Sequence, residues 1–193
     1  MNRKQLWLLA GGNGAGKSTF YHNFLAPLGM PFVNADIIAK DFFPDDPEQN
    51  SYRASQLAEQ MREKLILKGK TFCFETVFSH VSKIDFIGKA KALGYEVILV
   101  FIHVESSGLN KARVSQRVAE GGHNVPNDKI ESRIPRVLEN VKTAIPLCDQ
   151  VRVLDNSSCN DPFQTLAIVN GNQIESIISD APNWLSTLLS DQH

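Results

Sequence analysis

The chain has 193 residues, 42% of them apolar, with 20 basic against 21 acidic side chains and a formal net charge of −1. At ~150 residues per domain this fits one compact domain with a sizeable core. So balanced a charge leaves no overall field to hold nucleic acid or an acidic membrane, and an anion site has to be local.

Three cysteines (Cys73, Cys148, Cys159), odd in number and without a CxxC pair, argue against a disulfide framework or a zinc knuckle and point to a reducing, cytoplasmic setting. Leu6 to Ala10 is too short for a signal segment, and no stretch approaches the ~18 apolar residues of a membrane span. Gln5 to Ala10 reads as a buried strand, the glycines from Gly11 to Gly16 as a loop, and Lys17 to Leu25 as a helix. Pro31 to Asn34 is a second short strand, and Ile37 to Ala39 begins a brief helix that Phe43-Pro44 ends. Beyond Pro47, Ala54, Leu57, Ala58, Met61 and Leu65 recur at helical spacing until Gly69, followed by a strand over Thr71 to Glu75.

Lys83 to Leu93 is an amphipathic helix, and the nearly unbroken apolar run Glu96 to Val104 is a central parallel strand. Leu109 to Ile145 is helical with a break at Gly121-Gly122, and Pro135 predicts a kink or restart in its second half. Val151 to Leu154 is a fifth parallel-type strand. Gln164 to Ile177 reads as a hairpin about Asn170-Gly171-Asn172, and a last helix near Asn183 to Leu189 packs Trp184 and Leu188. The fold class is α/β: a three-layer P-loop NTPase fold with a central, mainly parallel, five-stranded sheet plus a C-terminal hairpin and helix, all one domain over 1–193. Right-handed crossovers gather every parallel strand's carboxyl end at one edge.

Gly11-Gly12-Asn13-Gly14-Ala15-Gly16-Lys17-Ser18 fits G-x-x-x-x-G-K-[ST] between a strand and a helix. At this chain's composition about 0.005 chance matches are expected, so the motif is specific. Residues 11–16, with Thr19 after them, let backbone amides converge on phosphates at a helix N-terminus. Lys17 adds a point charge and the Ser18 hydroxyl a hard oxygen for Mg²⁺, which implies ATP and Mg²⁺. An LSGGQ-like signature, an N-K-x-D motif and a strand ending in Asp-Glu are all missing, which leaves a small kinase.

Such a kinase needs a carboxylate to take the acceptor's proton, an acid near the metal, and arginines on a closing segment. Asp36 is the candidate base or, alternatively, a helix N-cap. Glu75 either orients Mg²⁺ or the acceptor, or is a solvated strand end, with Thr76 and Ser79 as hydroxyl contacts. Lys111 to Arg136 carries six basic residues against three acidic ones and forms the candidate lid, about 109–136. Within it Arg113 and Arg117, and Arg133 and Arg136, stand at helical spacing, while His123 is a turn residue or a substrate contact.

Gly11 to Thr19, Asn34-Ala35-Asp36, Phe74-Glu75-Thr76, the Lys89 to Val104 unit, and Arg117 through Gly121-Gly122-His123-Asn124-Val125-Pro126 to Arg133 together resemble the zeta-toxin family. The resemblance spans about two-thirds of the chain. It implies a kinase that transfers the γ-phosphate of ATP to a sugar hydroxyl of UDP-N-acetylglucosamine and that an antitoxin protein holds in check. It further implies Lys17 and Ser18 on ATP-Mg²⁺, Asp36 as base, Glu75 and Thr76 on the acceptor or metal, and Arg117 with a lid cation on the transferring phosphoryl group. Where those toxins carry a second arginine before a Thr-Pro or Val-Pro step this chain has His123-Asn124-Val125-Pro126, so Arg133 or Arg136 takes that role. The alternatives are a regulatory ATP-binding module and a kinase acting on a nucleoside or antibiotic. Nucleic-acid end phosphorylation ranks low, because no aromatic interleaves the basic segment.

Overall fold

The computed structural model describes residues 3–122, 124–171, 173–176, 178 and 181–190. The predicted strands appear as β1 (Gln5–Ala10), β2 (Phe32–Val33), β3 (Phe72–Thr76), β4 (Glu96–His103) and β5 (Gln150–Asp155), all parallel. The hairpin strands β6 (Gln164–Asn170) and β7 (Gln173–Ser176) are not a separate appendage. They continue the same sheet antiparallel, in the order β2-β3-β1-β4-β5-β6-β7. β6 covers what would otherwise be the exposed edge of β5, an open row of backbone donors and acceptors.

Side chains alternate across the sheet as the pleat requires. Leu6, Leu8, Ala10, Phe72 and Phe74 face a large apolar layer, while Leu9, Cys73, Ile98, Val100 and Ile102 face a smaller one. The large layer is closed by α2 (Ala35–Phe42), α3 (Ser51–Leu67), α4 (Ser82–Ala92), α6 (Asn127–Ala144) and α7 (Asn183–Leu189). The small layer lies under α1 (Lys17–Phe20) and the π-helical turn Tyr21–Leu25 that prolongs it. Helix α5 (Ser107–Ala119) reaches α6 through a small apolar cluster of Val114, Val125 and Ile130.

Two expectations change, and the expected break at Gly121-Gly122 is present. The helix after β2 is eight residues long and starts at Ala35, because Asn34 caps it: Asn34 Oδ1 accepts from the amides of Asp36 (2.7 Å) and Ile37 (3.2 Å). Asp36 is therefore not the cap. Helix α6 runs through Pro135 without restarting; this proline sits on an exposed face, where water can take the carbonyl it leaves unpaired. Gly121 and Gly122 act as a helix terminator. Their amides return to the carbonyls of Val118 (3.0 Å) and Arg117 (2.8 Å), with Gly121 at φ +81, the left-handed geometry that ends helices.

Candidate active site

Between β1 and α1 the glycine loop passes so close to its neighbours that side chains have no room. A Cβ on Gly14 (φ +76) would lie 2.6 Å from the Asn110 carbonyl oxygen, and one on Gly11 2.2 Å from that of Ile102. Two buried asparagines outside the motif brace the loop. Asn110 Nδ2 donates to the Asn13 carbonyl at 2.6 Å, and Asn156 Nδ2 to the Ala15 carbonyl at 2.9 Å. Asn156 Oδ1 also accepts from the Phe163 amide, which ties the segment between β5 and β6 to the loop.

Lys17 is only 6% exposed, and its ammonium is folded back onto the carbonyls of Gly11 and Gly12, 2.9 Å from each. Burial lowers its pKa from the usual lysine value. The carboxylates of Glu75 and then Asp36 oppose that shift, and Arg117 adds to it. Glu75, near the end of β3, gathers three partners: its Oε2 accepts from Ser18 Oγ (2.7 Å) and Asn34 Nδ2 (2.8 Å), and its Oε1 lies 3.8 Å from Lys17 Nζ. The last distance is an ion pair, beyond hydrogen-bond range.

The strand ends and these groups open into one cleft of about 840 Å³. Asn13, Gly14, Gly16, Lys17, Ser18, Thr19, Asp36, Glu75, Thr76, Ser79, Arg117 and Arg133 line it. Gly11, Gly12 and Ala15 lie behind this wall, and Gly12 borders a water-sized void against β4. Asp36 projects from the first turn of α2 and is free of capping duty. The Thr76 hydroxyl accepts from the Phe78 amide (3.1 Å), which holds the turn after β3 and leaves its own proton to donate. Of the candidate lid's cations, Arg133 Nη1 donates to Asn13 Oδ1 at 3.2 Å, whereas Arg136 is exposed and outside the lining. His123 lies outside the described residues. The Ser18 hydroxyl beside a carboxylate is a hard-oxygen set. It fits Mg²⁺, which takes one or two protein oxygens and completes its shell with phosphate and water.

The sequence reading passed over Arg62, Lys83, Asn156 and Phe163, all of which line the cleft, and it left Arg113 without a role. Arg113 Nη1 is buried without a partner among the described residues. Arg62 had a signal: Ala54, Ala58, Arg62 and Ile66 are the buried row of α3, and an arginine stands where that row calls for an apolar residue.

Comparison with known proteins agrees with this fold. An uncharacterized protein of Haemophilus influenzae is 30% identical over 140 residues, which are 69% of this chain and 99% of that protein. In the crystal structure of the AvrRxo1-ORF1:AvrRxo1-ORF2 complex with sulphate ions, the similar chain gives a TM-score of 0.72 at 20% identity over 92% of this chain. The present chain spans about 62% of that one. The PezAT chromosomal toxin–antitoxin system of Streptococcus pneumoniae gives 0.67 at 15% identity, covering 97% of this chain and 79% of the other. At such identities these likenesses speak for the fold, an α/β P-loop NTPase fold with antiparallel strands at its C-terminal end. A model of the AAA domain family AAA_33 matches residues 6–141, and the chain belongs to that family of P-loop kinase domains, for which ATP binding is expected.

Proposed function

We propose that the chain is one kinase domain over 1–193, with 109–136 as its lid, that transfers the γ-phosphate of ATP to a sugar hydroxyl of UDP-N-acetylglucosamine. The observation that carries this reading is the position of Asp36. Asn34 supplies the cap, so the Asp36 carboxylate is left in the cleft, close enough to Lys17 to act on its charge. A module that only held nucleotide would have no use for a free carboxylate there.

In this mechanism the loop amides and Lys17 bind the phosphates, and Arg113, Arg117 and Arg133 offset the charge that spreads over the transferring group. Ser18, with Glu75 through water, would hold Mg²⁺, which when bound neutralises phosphate charge. Asp36 takes the proton of the acceptor hydroxyl as its oxygen bonds to the γ-phosphorus and the bond to the β-phosphate oxygen breaks, so that ADP leaves. Thr76 and Ser79 orient the acceptor, and His123 is proposed as a further contact to it. An antitoxin as partner is part of the proposal; the solved structures of similar fold include a toxin–antitoxin system and the AvrRxo1-ORF1:-ORF2 complex with ATP.

Mass spectrometry after incubation with ATP-Mg²⁺ and a panel of nucleotide sugars, nucleosides and aminoglycosides tests the reading. Asp36→Asn should lower turnover about 10²–10⁴-fold, the range for losing a general base, and leave ATP affinity within about twofold. Unchanged turnover, or lost ATP binding in that variant, contradicts the role given to Asp36. A panel in which nothing gains a phosphoryl group favours the regulatory module.

A further inference from the structure

The cleft holds a second group of cations that the phosphate-binding loop does not use. Arg62, on α3, is only 6% exposed, yet its guanidinium makes no hydrogen bond and no ion pair among the described residues, and its Nε is fully buried without a partner. Its guanidinium carbon lies 5.0 Å from the Phe74 ring centroid and 5.7 Å from that of Phe86, and the residue lines the cleft. Lys83, on α4, lines the same wall and is half-buried; among the described residues its ammonium reaches only the Ser82 hydroxyl, at 3.4 Å.

The two cations stand near enough that Arg62 disfavours the charge on Lys83, adding to the effect of burial. Nearby acids do not discharge them. Glu59 acts on both but bonds to neither, and Glu63 is paired with Lys89. A buried guanidinium without a bonded acceptor is costly, and two adjacent cations compound the cost. A bound oxyanion removes it, because the guanidinium fork and an ammonium are the donors that grip phosphate oxygens.

The topology separates this pair from the ATP side. α3 and α4 are the crossovers that lead into and out of β3, whereas the lid arginines come from the crossover between β4 and β5.

We propose that Arg62 and Lys83 form an anion subsite that binds a phosphoryl group carried by the acceptor, so that the substrate is a phosphorylated or diphosphate-linked alcohol and not a neutral one. Naming the occupant as the acceptor rests on the kinase reading above; the anion site itself rests on the two side chains. The test reads Arg62 directly. Inorganic phosphate is titrated into protein loaded with a non-hydrolysable ATP analogue and Mg²⁺, and the Nε–H resonance of Arg62 is followed by NMR. It should move saturably. Lys83→Met should weaken that binding by at least roughly tenfold and Lys83→Arg should restore it, with the thermal midpoint unchanged.

In competition, N-acetylglucosamine 1-phosphate and UDP should displace phosphate, and N-acetylglucosamine should not. An Arg62 signal indifferent to phosphate, a Lys83→Met variant that binds as wild type, or equal competition by the neutral sugar overturns the proposal. The two readings fail separately. If phosphate moves Arg62 but no alcohol is phosphorylated, the kinase reading falls and the anion site stands. If neutral and phosphorylated alcohols are turned over alike by wild type and Lys83→Met, the subsite falls and the kinase stands.

Discussion

Replacing Glu75 with glutamine keeps the shape of the side chain and removes one charge at the point where three partners meet. Ser18 and Asn34 both donate to Oε2, and a neutral amide oxygen is the weaker acceptor by about 1 kcal/mol for each bond. The ion pair with Lys17 is lost as well. Its partners are 6% and 14% exposed, so solvent screens it only in part, and about 1 kcal/mol more is a cautious addition. The total, about 3 kcal/mol, corresponds to a melting point roughly 6–12 °C lower for a chain of this size. Lys17 supplies a second readout. Burial already holds its folded pKa below 10.5, and losing the Glu75 charge lowers it further. Metal-free ATP binding, which needs the ammonium, should therefore begin to fail at lower pH in Glu75→Gln than in wild type. Fold stability runs the other way. Between the lowered folded pKa and 10.5 the unfolded chain binds more protons at Lys17, so this residue's contribution rises with pH, over a wider window in the variant. Calorimetry and ATP titration across pH check both effects. A melting point within about 1 °C of wild type with superimposable ATP–pH curves would reduce Glu75 to a solvated strand end.

Gly122→Ala puts a Cβ 2.5 Å from Arg117 Cγ and 2.7 Å from the Arg117 carbonyl oxygen. Arg117 must shift, and kcat should fall roughly 10- to 100-fold at a stability cost of about 1–2 kcal/mol. Gly121→Ala is the control: its Cβ meets open space, so only the φ of +81 costs, about 1 kcal/mol, with kcat nearly unchanged in the same assay. Asn156→Ala leaves the Ala15 carbonyl and the Phe163 amide without their partner. About 2–4 kcal/mol of stability should go, by denaturant titration, and ATP affinity should weaken as the loop loses its brace.

What the sequence declared was local. The glycine loop and its flanking strand are a contiguous pattern whose chemistry dictates its residues, and the five parallel strands followed from apolar runs between turn residues. The placement of Asp36 was ambiguous for a physical reason: asparagine and aspartate are nearly equal as helix caps, so residues 34–36 alone could not say where the helix begins. Glu75 decides it. By taking Asn34 Nδ2, it turns the Asn34 carbonyl oxygen toward the amides of α2, a contact across 41 positions of sequence. The same distance hid Asn156, which braces the loop from 141 residues away, and the joining of the hairpin to β5. Pro135 does not restart the helix, because on an exposed face water can take the carbonyl that it leaves unpaired.

The charges of the cleft then acquire an order. Among the described residues, six cations (Lys17, Arg62, Lys83, Arg113, Arg117, Arg133) and three carboxylates (Asp36, Glu75, Glu120) line it, in a chain whose net charge is −1. A transfer between two anionic molecules has to overcome their mutual repulsion before the reacting atoms meet. Cations at only one end would hold the nucleotide and leave the second anion repelled. On the proposed reading the loop lysine and lid arginines take the triphosphate, and Arg62 with Lys83 takes the phosphoryl group of the acceptor. Asp36 receives the proton in the cleft that the two groups share. Placing the two groups on different crossovers of the sheet also separates their tasks. On the same proposed reading, a lid closing over ATP need not carry α3 with it, so that Arg62 keeps its place beside Phe74 and Phe86 while the donor side rearranges.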